Sequence, residues 1–141
     1  MKENGKLILN INSDDPFERP AVDIYHNKQK YLTKQYEGDL VRASNRLFKP
    51  IAISHFEIVE SKLHEGKECL YAQIYRRDES GNLIKELMVT ESYSLIEDLK
   101  SMDEDINKKG CLGYTKLVMK KDRSLHATTL TGPEKKKLMG N

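Results

Sequence analysis

Hydrophobic and polar positions alternate most regularly between residues 51 and 93. Ile51 to Leu63 is rich in β-branched residues, and His64-Glu65-Gly66-Lys67 reads as a turn. Glu68 to Arg77 alternates again, Asp78 to Asn82 carries a Gly-Asn turn, and Leu83 to Tyr93 forms a third run. Three alternating runs joined by short glycine-containing turns predict an antiparallel meander.

Other periods frame it. Leu7, Leu9 and Ile11 share one face of a predicted strand over Lys6–Asn12, and the prolines and Ser/Asp cluster of residues 13–20 predict a loop. From Ala21 the step becomes three and four: Val22, Tyr25, Gln29, Leu32, Tyr36 and Leu40. This spacing predicts a helix, weakened at Gly38, with residues 41–48 either extending it or forming a second short helix before Pro50. Ser94 is followed three residues later by Glu97, with Leu95, Ile96, Leu99 and Met102 on one face. The pattern predicts a capping box at Ser94 and an amphipathic helix that stops at Lys108-Lys109-Gly110. Leu112–Lys121 and Ser124–Thr131 predict a last hairpin turning at Asp122-Arg123, after which Gly132-Pro133 ends the ordered pattern and Glu134–Asn141 reads as a short helical turn or a loose tail. The elements add up to an α+β fold: a mainly antiparallel sheet, a meander plus a C-terminal hairpin, with two or three helices packed on it. The expected organisation is one domain over residues 1–133 and a basic tail over residues 134–141.

Composition changes this picture little. At 141 residues, with 38% hydrophobic and 33% charged residues, the chain can bury roughly two-thirds of its unfolded surface. Two cysteines, Cys69 and Cys111, make no disulfide framework. No run approaches the ~18 apolar residues of a membrane span, and the start MKENGKLILNINSDD has no secretory pattern. The expectation is a cytoplasmic protein that makes no membrane contact. Lys outnumbers Arg 18 to 6 and Trp is absent, the usage of an AT-rich coding sequence such as those of many bacteria, phages and mobile elements.

Charge is more informative. The net value is +2, yet residues 110–141 hold seven Lys/Arg against Asp122 and Glu134. Lys116, Lys120, Lys121, Arg123, Lys135, Lys136 and Lys137 are therefore the candidate nucleic-acid contacts. The competing reading is a solvated tail.

Candidate chemistry is sparse. There is no phosphate loop, metalloprotease motif, EF-hand loop or zinc spacing, and His26, His55, His64 and His126 are isolated from one another. No catalytic residue, metal ligand or cofactor is predicted. Asp39 with Glu60 and Lys62 has the order of a metal-dependent nuclease, but such triplets arise readily in a chain this rich in charge. Cys69 or Cys111 with His55 or His126 would make a thiolate–imidazole pair only with support that the local sequence lacks. Gly110-Cys111-Leu112-Gly113 has the GxxG spacing of an RNA-clamping loop without its helix–helix context. Tyr71, Gln73 and Tyr75 share one strand face that runs into Arg76-Arg77, and Tyr and Arg are enriched where proteins bind one another. The reading that follows is a non-enzymatic binding or assembly protein with a protein partner, contacting it through Tyr71, Tyr75, Arg76 and Arg77. Nucleic-acid binding by the basic C-terminal third and a metal-dependent nuclease are the alternatives.

Overall fold

The computed structural model describes residues 32–61 and 63–140, and the backbone alone of Lys2–Glu3 (β1) and Lys6–Leu7 (β2), which pair antiparallel. The backbone separates into two units, residues 1–31 and 32–141. The predicted strand beyond Leu7, the loop at 13–20 and the helix over 21–31 lie outside the described residues.

The second unit is built on a six-stranded sheet: β3 (Asp39–Arg42), β4 (Pro50–Glu60), β5 (Glu68–Arg77), β6 (Leu83–Thr90), β7 (Gly113–Met119) and β8 (Leu125–Thr128). Their spatial order is β3-β6-β5-β4-β7-β8, and every pairing is antiparallel except β3 with β6. Helices α1 (Tyr93–Lys100) and α2 (Gly132–Met139) complete an α+β fold, with a 3₁₀ turn at Ala43–Arg46 and a π-helical turn at Glu104–Lys108.

Alternation decides which face each strand residue serves. One face carries Ile51, Ile53, Phe56, Leu70, Ala72, Ile74 and Met88, which pack under Leu95, Ile96 and Leu99 of α1 and under Ile106. The α1 start differs from the sequence expectation. Ser92 is the N-cap, its hydroxyl accepting from the Leu95 amide, whereas the Ser94 hydroxyl donates to the Leu125 carbonyl at 2.8 Å. Asp98, one turn on, accepts from the Ala127 amide at 3.0 Å. Two α1 side chains thus occupy backbone groups of β8, the sheet's last strand, and blunt that edge against further pairing. The helix ends at Lys100 instead of running to Lys109. The π-helical turn that follows aims Asn107 at the register shift in β4, where its side-chain oxygen accepts from the Phe56 amide at 3.0 Å.

The helix expected through Leu40 is absent from residue 32 onward. Residues 32–38 form an extended strap across the opposite sheet face. Glu57 on β4 accepts from the Thr33 amide and hydroxyl, the Lys34 amide and the Tyr36 hydroxyl. Gln73 on β5 bonds Glu37 through both its amide groups, and Lys85 on β6 pairs with Glu37 at 2.9 Å. Sheet side chains satisfy the strap's backbone, so helical bonds are not needed. Burial pushes the Glu57 carboxyl up, but these donors outweigh it and hold it below the ordinary range, while burial and the Glu57 charge push Tyr36 up. Gly38 ends the strap at φ +93°, where a Cβ would lie 2.0 Å from the Lys85 carbonyl oxygen. Only glycine fits there. The chain then enters β3 parallel to β6, with Asp39 beside Glu86.

Glu86 is buried and holds two guanidinium groups. Arg46 donates to it at 2.7 and 2.6 Å and Arg76 at 2.8 and 3.2 Å, both in bidentate geometry. Burial alone would raise its carboxyl, yet the two arginines hold it down at about 2. A folded pKa below the unfolded one adds stability that is complete above the ordinary carboxylate range and disappears as pH falls toward 2. Glu86→Gln should therefore lower the unfolding free energy at pH 7 by about 2–3 kcal/mol, since it leaves two partly buried arginines without their acceptor. It should also flatten the loss of stability between pH 5 and 2, a comparison that denaturant titrations across that range will make.

Candidate functional site

The face bearing the strap also carries α2. Thr131 caps this helix, its hydroxyl accepting from the Glu134 amide while Glu134 reaches back to the Thr131 amide, and Pro133 sits in the first turn. Of the two readings of residues 134–141, a helical turn or a loose tail, the structure has the helical one, and it opens already at Gly132-Pro133. Leu138 is its buried anchor, packing with Ala52 and Leu130 and against Tyr75 and Tyr114. Arg77 locks the far end by donating to the carbonyls of Leu138 and Met139 at 2.9 and 3.2 Å. A cation at a helix C-terminus satisfies open carbonyls and opposes the helix dipole.

Beside this helix lies an open apolar pocket of about 460 Å³. Ala52, Ser54, Tyr75 and Tyr114 line it from β4, β5 and β7, and Leu138 and Met139 from α2. Leu83 and Leu112 complete it. Its rim keeps large apolar groups in water: Leu83 is 49%, Leu112 47% and Met139 52% exposed. The Lys135 ammonium stands 5.8 Å from the centre of the Tyr114 ring, within cation–π range.

The structure separates the residues expected to act together. Tyr71 is fully buried, so it presents no surface. Tyr75 remains partly open in the pocket wall. Arg76 and Arg77 leave the strand on opposite faces, one to Glu86 and the other to α2, and neither guanidinium is free. In the basic set, Lys116 is paired with Glu134 at 2.7 Å and Lys135 lies over Tyr114. That Lys116 ammonium, backed by the Thr131 amide, holds the Glu134 carboxyl down at about 2. Lys120, Lys121 and Arg123 stand exposed at the hairpin tip, and Lys136 and Lys137 stand exposed on α2.

The other constellations do not assemble. Asp39 is in register with Glu86 and so with Ile74, whereas Glu60 is in register with Glu68, roughly 20 Å further along β5. Lys62 lies outside the described residues. No three His, Cys, Asp or Glu among the described residues are placed to share a metal ion. Cys69 is buried opposite Val59, four positions from the Gln73 that faces His55, and Cys111 is exposed.

A contact that spacing did not suggest links Ser124, His126 and Asp98. The serine oxygen is 3.1 Å from His126 Nε2, and His126 Nδ1 is 3.1 Å from Asp98 Oδ2. The order matches a nucleophile–base–acid relay. Its chemistry is pre-empted, because the Ser124 hydroxyl donates to Asp122 at 2.5 Å. The amides of Lys120, Arg123 and Ser124 are committed to the hairpin's own bonds, and none of them is left for an oxyanion. The trio serves the turn and the α1–β8 seam.

No family model, curated protein or solved structure matches the chain. Among the described residues no helix is long and apolar enough to cross a membrane. The pocket depends on α2 staying docked, which gives a direct check. Arg77→Met keeps the side chain's length and removes its hydrogen bonds. It should raise amide hydrogen exchange across residues 134–140 by about fivefold, a loss of about 1 kcal/mol, and leave β5 and β6 protected.

Proposed function

We propose that this chain is a non-enzymatic binding module that takes a large apolar side chain of a protein partner into the pocket between Tyr75 and Tyr114. The observation that carries this reading is the rim. Leu83, Leu112 and Met139 each leave about half of their surface in water around one concavity. Burying such surface returns ~25 cal/mol per Å², and contiguous exposed apolar groups around a hollow are the usual mark of a contact site. The two tyrosines support the same view, because their rings offer apolar area with a hydrogen-bonding tip. Lys135 stands over Tyr114, one of the rings that line the hollow, and is exposed. Its charge favours a partner segment with Asp or Glu beside the inserted residue.

This reading keeps Tyr75 from the residues expected on sequence grounds and replaces Tyr71, Arg76 and Arg77 as direct contacts. Selection from a random displayed-peptide library will test it. Enriched peptides should carry a Leu, Met, Phe or Trp next to an acidic residue, and they should bind Leu83→Glu or Met139→Glu at least tenfold more weakly, with the fold unchanged by circular dichroism. A library that yields no binders, or binders indifferent to both substitutions, would falsify the proposal.

A further inference from the structure

We infer that the end of the sheet formed by the Phe48 turn and the β7–β8 hairpin tip is a contact site for single-stranded nucleic acid, separate from the apolar pocket. Two observations meet there. The first is charge without internal partners. Lys49, Lys120, Lys121 and Arg123 are all exposed, and among the described residues none of their side chains is in an ion pair. Asp122, the carboxylate within the tip, is turned onto the Ser124 amide and hydroxyl. By contrast Lys116 and Lys135, further back in the same basic third, are already engaged. The cationic field of this region is therefore concentrated at the tip.

The second is an aromatic ring held out at a cost. Phe48 is 63% exposed and its backbone sits at φ +64°. That conformation is an outlier for a bulky residue, and burial of the ring does not compensate for it. The turn is held from below. The Phe48 amide donates to the Leu117 carbonyl at 2.7 Å, and Arg46, two residues earlier, is clamped by Glu86. Leu117 precedes Lys120 by three residues, which places the Phe48 backbone roughly 10 Å from the tip along β7. Among the described residues Phe48 and Arg123 are the non-glycine positions with positive φ, and both are at this end. Strained backbone kept by its surroundings collects at functional sites. An open ring beside unpaired cations is how single-strand binders stack a base while neutralising its phosphates.

Anisotropy titrations of a fluorescent oligo-dT against the full chain, repeated over a range of salt concentrations, will test this. Binding should weaken with a log–log salt slope of about −3, the value for roughly four neutralised phosphates on a single strand. The K120Q/K121Q/R123Q triple variant should flatten that slope by about 2. Phe48→Gly relieves the backbone, so it should raise the unfolding temperature yet weaken binding about tenfold with the salt slope unchanged. Phe48→Tyr should bind like the parent. The inference is overturned by absence of binding at low salt, by a slope that ignores the triple variant, or by full affinity in Phe48→Gly. It is equally overturned if polyaspartate or duplex DNA competes as well as oligo-dT, since the site would then be a general anion surface.

Discussion

One carboxylate organises the sheet's parallel edge. Glu86 takes four hydrogen bonds from Arg46 and Arg76 in a buried setting. Desolvating three charges consumes most of what their attraction returns, so the triad adds little net stability. What it contributes is uniqueness. Arg76 comes from β5, Glu86 from β6, and Arg46 from the 3₁₀ turn after β3. Moving β6 by one residue would turn Glu86 to the other face and leave two guanidinium groups without their acceptor. The registers of three strands and the position of the turn that carries Phe48 therefore share one solution.

The strap depends on the same arrangement. It crosses β4, β5 and β6 in order, meeting Glu57, then Gln73, then Lys85. The Gln73 amide nitrogen bonds the Glu37 carbonyl and also the Glu86 carbonyl, so the strap and β6 are held by one side chain. Gly38 then admits the close approach to Lys85 that brings β3 alongside. A parallel neighbour needs a crossover, and between β3 and β6 it is the 3₁₀ turn, β4 and β5 that provide it, without a long helix.

The contrast between meander and strap shows what local sequence can report. The strands at residues 50–90 are legible because both their period and their turns are local: Asp78 itself accepts from the Ser80 and Asn82 amides and shapes the β5–β6 turn. The strap misleads because Leu32, Tyr36 and Leu40 have helical spacing while their partners lie more than twenty residues away. Alternation correctly places Tyr71, Gln73 and Tyr75 on one face, but it cannot report that the Tyr71 end is fully covered. It also implied the fate of the arginine pair. Adjacent strand residues point to opposite faces, so Arg76 and Arg77 could not form one contact patch. The pocket was beyond local reading altogether, since Ala52, Leu83 and Met139 are joined only by the fold.

The distribution of free charge follows from that placement. Sequence alone sums the C-terminal third into one basic block, yet the fold divides it into roles. Lys116 fixes the start of α2 through Glu134, Arg77 fixes its end, and Lys135 covers Tyr114. These three cations hold α2 and Tyr114, which line the apolar hollow, in place. The hairpin-tip cations have no such work, because Asp122 is drawn into its own turn. Tyr114 lies near the start of β7 and Lys120 just past its end, about 20 Å away along a strand paired first with β4 and then with β8. A strand so held transmits no rearrangement between its ends. Occupancy at the hollow should therefore leave the hairpin tip unaltered, and the two surfaces are best understood as independent contacts set at a fixed distance by one rigid sheet.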